Sequence, residues 1–188
     1  MAERTSVSGL ILAGGAGTRM GGEDKGWIAW QGAPLVTHVL GRLAPQVDRV
    51  FISANRNIDR YATLAPVLPD LRPGLPGPLA GIEAGLSAAP GGYLLVVPCD
   101  TPRLPVDLAA RLLAAVGNTR KPAFVTTPAR EQPLFALLHT DLLPHLSATL
   151  DRDERRVFAW MRAIGAIAVQ FDDPAPFANL NTPQSLAD

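Results

Sequence analysis

The chain has a single cysteine, Cys99, so it can form no internal disulfide and offers no thiolate set for a structural zinc. It has no run approaching the roughly 18 apolar residues that a membrane-spanning helix needs. Its opening residues, Met1 to Ser8, are largely polar or charged and lack the long apolar core of a signal peptide. It also lacks an excess of either charge: Lys plus Arg and Asp plus Glu both number 17. That balance removes the broad attraction on which binding to nucleic acid or to an anionic membrane rests. Any anion the protein holds must therefore be held by a local arrangement. The histidines, His38, His139 and His145, are scattered, without ligand spacing and without an acid partner. Together these absences predict a soluble, cytoplasmic chain that works neither through zinc nor through a catalytic histidine.

What is present suits a globular protein: 47% hydrophobic and 18% charged residues are enough to build a core and too apolar for disorder. The chain reads as one domain over 1–188, with no repeat and no convincing linker. An apolar strand is expected over 7–13, followed at once by a glycine-rich run from Gly14 to Gly26. A helix begins at Pro34, a residue favoured at the first helical position. Leu35, Val39, Leu40 and Leu43 give that helix an apolar face. Further strands are expected over 49–53, near Val67 and Leu68, and over 93–97, where YLLVV is apolar throughout as in a strand covered on both faces. Helices follow over about 79–89 and 108–116, strands over 123–127 and 134–138, helices near 141–150 and 157–164, and a last strand over 166–171. Alternating strands and helices predict an α/β sandwich with a mainly parallel sheet, to which the later elements could add an antiparallel strand or a small flap.

Ligands of such sheets bind beyond the carboxyl ends of the strands, which is where LAGGAGTRMGGEDKG falls, from Leu12 to Gly26. Gly14, Gly15, Gly17, Gly21 and Gly22 let backbone amides approach an anion unobstructed, and Arg19 and Lys25 add cations. The loop has neither the G-K-[ST] ending of a P-loop nor the spacing of the dinucleotide fingerprint. Glycine-rich turns are common, and glycines alone would mark only a flexible connection. Five of them with an arginine and a lysine, directly after a buried strand, favour a triphosphate. Asp100, in PCDTP just past YLLVV, reads equally as a magnesium ligand or as the start of a proline turn. Asp70 on its own reads as a solvated turn residue.

The loop resembles the opening signature of the nucleotidyltransferases that activate sugars, isoprenoid alcohols and pterins. In its longer form it is similar to the molybdenum cofactor guanylyltransferases, and the resemblance extends over nearly the whole chain through GPLAG (77–81), PCDTP (98–102), ERRV (154–157) and NLNTP (179–183). It implies a Rossmann-like three-layer sandwich with a nucleotide loop after the first strand, the N-terminal part binding nucleotide and the C-terminal part binding pterin. It implies transfer of GMP from GTP to molybdopterin with magnesium, or manganese, as the metal. Lys25 and Arg19 would hold the triphosphate and Asp100 the metal. Leu12, Ala13, Gly14, Gly15, Asp70 and Gly77 would line the nucleoside.

The carry-over weakens at the remaining positions. Many relatives have asparagine where this chain has Ser53, a shorter residue that makes fewer hydrogen bonds; Asn55 and Arg56 match. Asn179 and Asn181 alternate on an extended segment and so point the same way; with Arg156 they are the candidates for the pterin. Trp27 and Trp30 read as packing residues that could also flank it, and Cys99 as a small, partly buried residue. Molybdenum insertion proteins and molybdoenzyme chaperones are the implied partners, with no nucleic acid or membrane. Two other readings share the loop: a cytidylyltransferase on the same cofactor or a sugar- or isoprenoid-phosphate relative, and a nucleotide-binding protein without catalysis.

Overall fold

The computed structural model describes residues 5–14, 24–74 and 77–180. A seven-stranded sheet runs through them in the order β5-β4-β1-β6-β8-β7-β9. Its strands are β1 (Val7–Leu12), β4 (Arg49–Ser53), β5 (Val67–Leu68), β6 (Tyr93–Pro98), β7 (Ala123–Thr126), β8 (Glu131–His139) and β9 (Ile167–Gln170). Only β8 runs against its neighbours β6 and β7; the other pairings are parallel. The carboxyl ends of six strands therefore share one edge. A two-stranded hairpin, β2 (Ala29–Trp30) with β3 (Ala33–Pro34), stands apart from the sheet.

Alternation along the strands creates the layers. On β1, Val7 and Ile11 face the cluster built on α1 (Leu35–Leu43) and α4 (Leu108–Val116), while Leu10 faces the cluster built on α3 (Pro78–Ala88), α5 (Leu143–Asp151) and α6 (Val157–Ala163). On β6, Tyr93, Leu95 and Val97 point one way and Leu94 and Val96 the other, all buried. Burying each such aliphatic side chain contributes about 1.5–3 kcal/mol. The unbroken apolar run of β6 follows from this double covering.

The order of elements sets which helix ends face the strands' carboxyl edge. Helices α1, α3, α4 and α6 each precede a parallel strand, so their N-termini lie at that edge. The reversed β8 delivers the chain to the opposite edge, and α5 carries it back before α6 descends into β9. A partly buried ion pair ties α3 to α5. Arg72, in the loop after β5, bonds Glu83 through Nε at 2.9 Å, and Glu83 is 3% exposed. The same guanidinium pairs with Asp151, and the Ser147 hydroxyl donates to Glu83 at 2.7 Å.

Several expectations are refined. The first helix starts at Leu35, because Pro34 is extended (φ −59, ψ 145) and closes the hairpin. The expected strand 134–138 extends to 131–139. Its register with β7 breaks between Phe124 and Val125, opposite Pro133, which has no N–H for the ladder. The five-residue α2 (Ile58–Ala62), which follows Asn57 in the left-handed region (φ 51), was not anticipated. His139 does have an acid neighbour, contrary to expectation: Asp141 Oδ2 lies 3.1 Å from its Nδ1. The pair stands where β8 ends, away from the strands' carboxyl edge. Among the described residues no helix is long and apolar enough to cross a membrane.

Candidate functional site

Strand order reverses its direction of growth at β1, which lies between β4 and β6. In open α/β sheets the crevice beyond such a switch point receives the ligand. Main-chain hydrogen bonds hold the loops there side by side. The Ala13 N–H donates to Ser53 O at 2.9 Å, and Cys99 N–H to Leu12 O at 3.1 Å. From the other end of the chain, Leu180 N–H donates to Asp100 O at 2.9 Å, seating the C-terminal segment beside β6.

Lys25 and Asp100 meet in this crevice. Lys25 Nζ donates to Asp100 Oδ2 at 2.7 Å; the lysine side chain is 36% exposed and the aspartate 8%. The other carboxylate oxygen, Oδ1, is buried and meets no hydrogen-bond donor among the described residues. A buried acceptor left so is costly unless something else satisfies it. The crevice thus presents a cation to one side and a hard oxygen to the other.

Asp70 follows β5, two strands out from β1. Asn55 Nδ2 donates to Asp70 Oδ2, and the Asp70 N–H donates to Asn55 Oδ1, both at 2.9 Å. Burial raises the Asp70 carboxyl above its ordinary pKa; the Asn55 bond opposes this and the Glu83 charge adds to it. Gly14 lies over this pair, since a Cβ there would come within 3.7 Å of Asn55 Nδ2. Gly77, at φ 137, is the N-cap of α3 and turns the chain into that helix with open space beside it. Loop ends carrying Leu12, Ala13, Gly14, Asn55, Asp70 and Asp100 are thereby gathered at one edge.

Other expected residues are placed differently. Ser53 is buried beneath Gly81 of α3, where a Cβ on the glycine would collide with its hydroxyl. Asn179 is half-buried and adjoins Leu180, which packs with Trp30 and Leu35. Arg156 is exposed at the N-cap of α6, on the same edge but in the layer of α3 and α5. Trp30 is buried against His38, and Trp27 stacks on Tyr61 with ring centroids 5.1 Å apart. Cys99 is buried outright; burial pushes its thiol pKa up, and the Asp100 and Asp24 charges push the same way. Gly15, Arg19 and Asn181 lie outside the described residues, as do Gly17, Gly21 and Gly22.

Sequence reasoning passed over Asp24. Its carboxylate accepts from Gly26 N–H at 3.2 Å, Asn57 Nδ2 at 2.8 Å and the Tyr61 hydroxyl at 2.5 Å. Aspartate two residues before glycine is a local turn signal. The two distant donors leave no such trace.

Comparison with known proteins bears on the family and the fold. A family model described as the MobA-like NTP transferase domain matches residues 9–166. A Bordetella petrii protein named molybdenum cofactor guanylyltransferase is 45% identical over 97% of this chain and 96% of its own length. One of the same name from Vibrio cholerae is 46% identical over 97% of this chain and 91% of its own. Among solved structures, molybdopterin-guanine dinucleotide biosynthesis protein A from Archaeoglobus fulgidus superposes with a TM-score of 0.78 at 22% identity, over 96% of this chain and 95% of that one. A 4-diphosphocytidyl-2C-methyl-D-erythritol synthase superposes with a TM-score of 0.73 at 17% identity, over 99% of this chain and 97% of the other. At those identities the structures speak for the fold alone.

Proposed function

This chain belongs to the MobA-like NTP transferase family, and from that premise we propose that it transfers GMP from GTP to the terminal phosphate of molybdopterin. The observation that carries the guanylyl reading is the near-full-length identity to relatives named for that activity. The paired Lys25 and Asp100 at the switch-point crevice support it.

In the proposed reaction a phosphate oxygen of the cofactor forms a bond to the α-phosphorus of GTP. The bond from that phosphorus to the bridging oxygen breaks, and pyrophosphate leaves with the electron pair. The nucleophile is an anion at neutral pH, so no general base is needed. The protein's contribution is then position and charge. Lys25, with Arg19, holds the triphosphate. Leu12 to Gly15 and the Asp70–Asn55 pair receive the nucleoside, where a carboxylate suits the adjacent donors of guanine; Gly77 opens α3 beside it. Asn179, Asn181 and Arg156 serve the pterin, with Ser53 supporting the floor of the site. One domain thus carries both substrates, nucleotide on its N-terminal part and pterin on its C-terminal part.

Asp100 fits a magnesium or manganese ion, because its Oδ1 is a hard, buried oxygen without a donor among the described residues and such ions favour carboxylate and phosphate oxygens. Bound there, the metal would neutralise charge on the triphosphate. The cytoplasm is the proposed setting, with molybdenum insertion proteins and molybdoenzyme chaperones as partners.

The test incubates purified protein with magnesium, molybdopterin-type cofactor and either GTP or CTP, and measures nucleotide attachment and pyrophosphate release. Cofactor-dependent product with GTP and little with CTP is expected. Preference for CTP would make it a cytidylyltransferase; GTP binding without pyrophosphate would leave only nucleotide binding.

A further inference from the structure

We propose that Asp24, gripped by Tyr61 and Asn57, is the positioning residue that aims Lys25 across the crevice. The inference rests on the proposed role of Lys25 at the triphosphate. Lys25 begins a short 3-10 turn, Lys25–Trp27, with Asp24 as its cap. The Asp24 carboxylate is bonded on both oxygens: Oδ1 takes Gly26 N–H at 3.2 Å and the Tyr61 hydroxyl at 2.5 Å, and Oδ2 takes Asn57 Nδ2 at 2.8 Å. Two of these donors sit 33 and 37 residues away, so the turn is fastened to α2 and not merely to itself.

The packing around it has the same effect. Gly26 lies so close to the Tyr61 hydroxyl that a Cβ there would collide with it. Tyr61 is wholly buried, and Trp27 stacks on it with the Arg60 guanidinium 3.8 Å from the Trp27 ring centroid. The residues on either side of Lys25 are therefore held, and its backbone has little room to shift. A lysine stem has four rotatable bonds and a strongly hydrated head, so a fixed base is what narrows the reach of its ammonium. The result is the 2.7 Å approach to Asp100. Burial, then the bond to Asp24, raise the phenol's pKa, which keeps it a donor at working pH. The three donors to Asp24, the Gly26 N–H, Asn57 Nδ2 and the Tyr61 hydroxyl, bond a carboxylate, the stronger kind of hydrogen bond.

The chain holds only two lysines, Lys25 and Lys121, and Lys121 is exposed. Acylation by a water-soluble amine reagent, followed by peptide mass mapping, therefore reads Lys25 against an internal standard. Tyr61→Phe keeps the ring and removes one donor. Asn57→Gly removes the other and still accepts φ 51, and it replaces Tyr61→Phe should that variant fail to fold. Either change is expected to raise the Lys25-to-Lys121 acylation ratio several-fold. GMP transfer should fall on the order of 10-fold, in keeping with a hydrogen bond to a charged acceptor. In a Lys25→Ala background the same change should cost transfer nothing further, because the residue it positions is gone. An unchanged acylation ratio overturns the proposal. So does an equal loss of transfer with and without Lys25, which would make the cluster only structural. If the intact protein transfers no GMP, the proposed function fails, while the acylation ratio still decides whether Asp24 holds Lys25.

Discussion

At the scale of single residues, the proposed reaction divides the electrostatic work between Lys25 and Asp100. Lys25→Ala removes charge stabilisation offered to the triphosphate and should lower kcat on the order of 10²-fold, as loss of other electrostatic donors does. Asp100→Ala should instead raise the magnesium concentration needed for half-maximal rate. Steady-state kinetics across a magnesium series separates the two, and normal turnover in both folded variants would dismiss the site. Asp70 behaves differently because burial lifts its pKa. The folded protein then holds the Asp70 proton more tightly than the unfolded chain. Its contribution to stability is full below the ordinary carboxyl pKa and is lost as pH rises through the higher folded value. At pH 7 the ionised carboxylate is a liability, which the proposed contact with the nucleotide would offset. Asp70→Asn should therefore raise the melting temperature at pH 7 by about 1–3 °C, with the gain shrinking toward pH 4. GTP affinity should fall about 10-fold, the worth of a charged acceptor.

At the scale of elements, α3 is seated low on the sheet by glycine. A Cβ at Gly85 would come within 2.7 Å of Leu10 Cδ2, the end of a flexible side chain, but one at Gly81 would strike the Ser53 hydroxyl. Alanine gains about 1 kcal/mol of helix propensity over glycine, whereas overpacking costs about 1–3 kcal/mol. Gly81→Ala should be net destabilising in denaturant unfolding, and adding Ser53→Ala should recover more than half of the loss, since the two sites touch. The same seating explains what could be read in advance. Runs such as YLLVV announce themselves because both faces of β6 are covered. Two-residue strands in the β2–β3 hairpin and the short α2 carry too little periodicity to register. The start of β8 was less legible, because the strand takes in Pro133 at an irregular register with β7. Lys25 and Asp100 were legible through motifs, whereas Asp24 with Tyr61 and Asn57, and Arg72 with Glu83, are joined by tertiary contacts that no local pattern records.

At the scale of the whole molecule, strand order brings residues from sequence positions 12, 25, 55, 70, 100 and 179 to one edge. A ligand spanning them holds together loops that are distant in the chain, so it should stabilise the fold as a unit. GTP with magnesium at about 100 times its dissociation constant adds about 2.7 kcal/mol, and should raise the melting temperature by roughly 5–10 °C. CTP at equal concentration should give much less. A shift equal for both nucleotides would mean that the base is not read.

Because Gly81 lets α3 lie against Ser53, and Arg72 locks Glu83 of that helix to α5, the helix cannot slide along the sheet without breaking an ion pair whose Glu83 carboxylate is buried. The rim at Gly77 is therefore set before any nucleotide arrives. Under the proposed function, selection between purine and pyrimidine is then expected on encounter, not during a later closure of that wall. In a stopped-flow experiment the observed rate of base docking should climb linearly with GTP concentration, and the wrong nucleotide should differ mainly in how fast it departs.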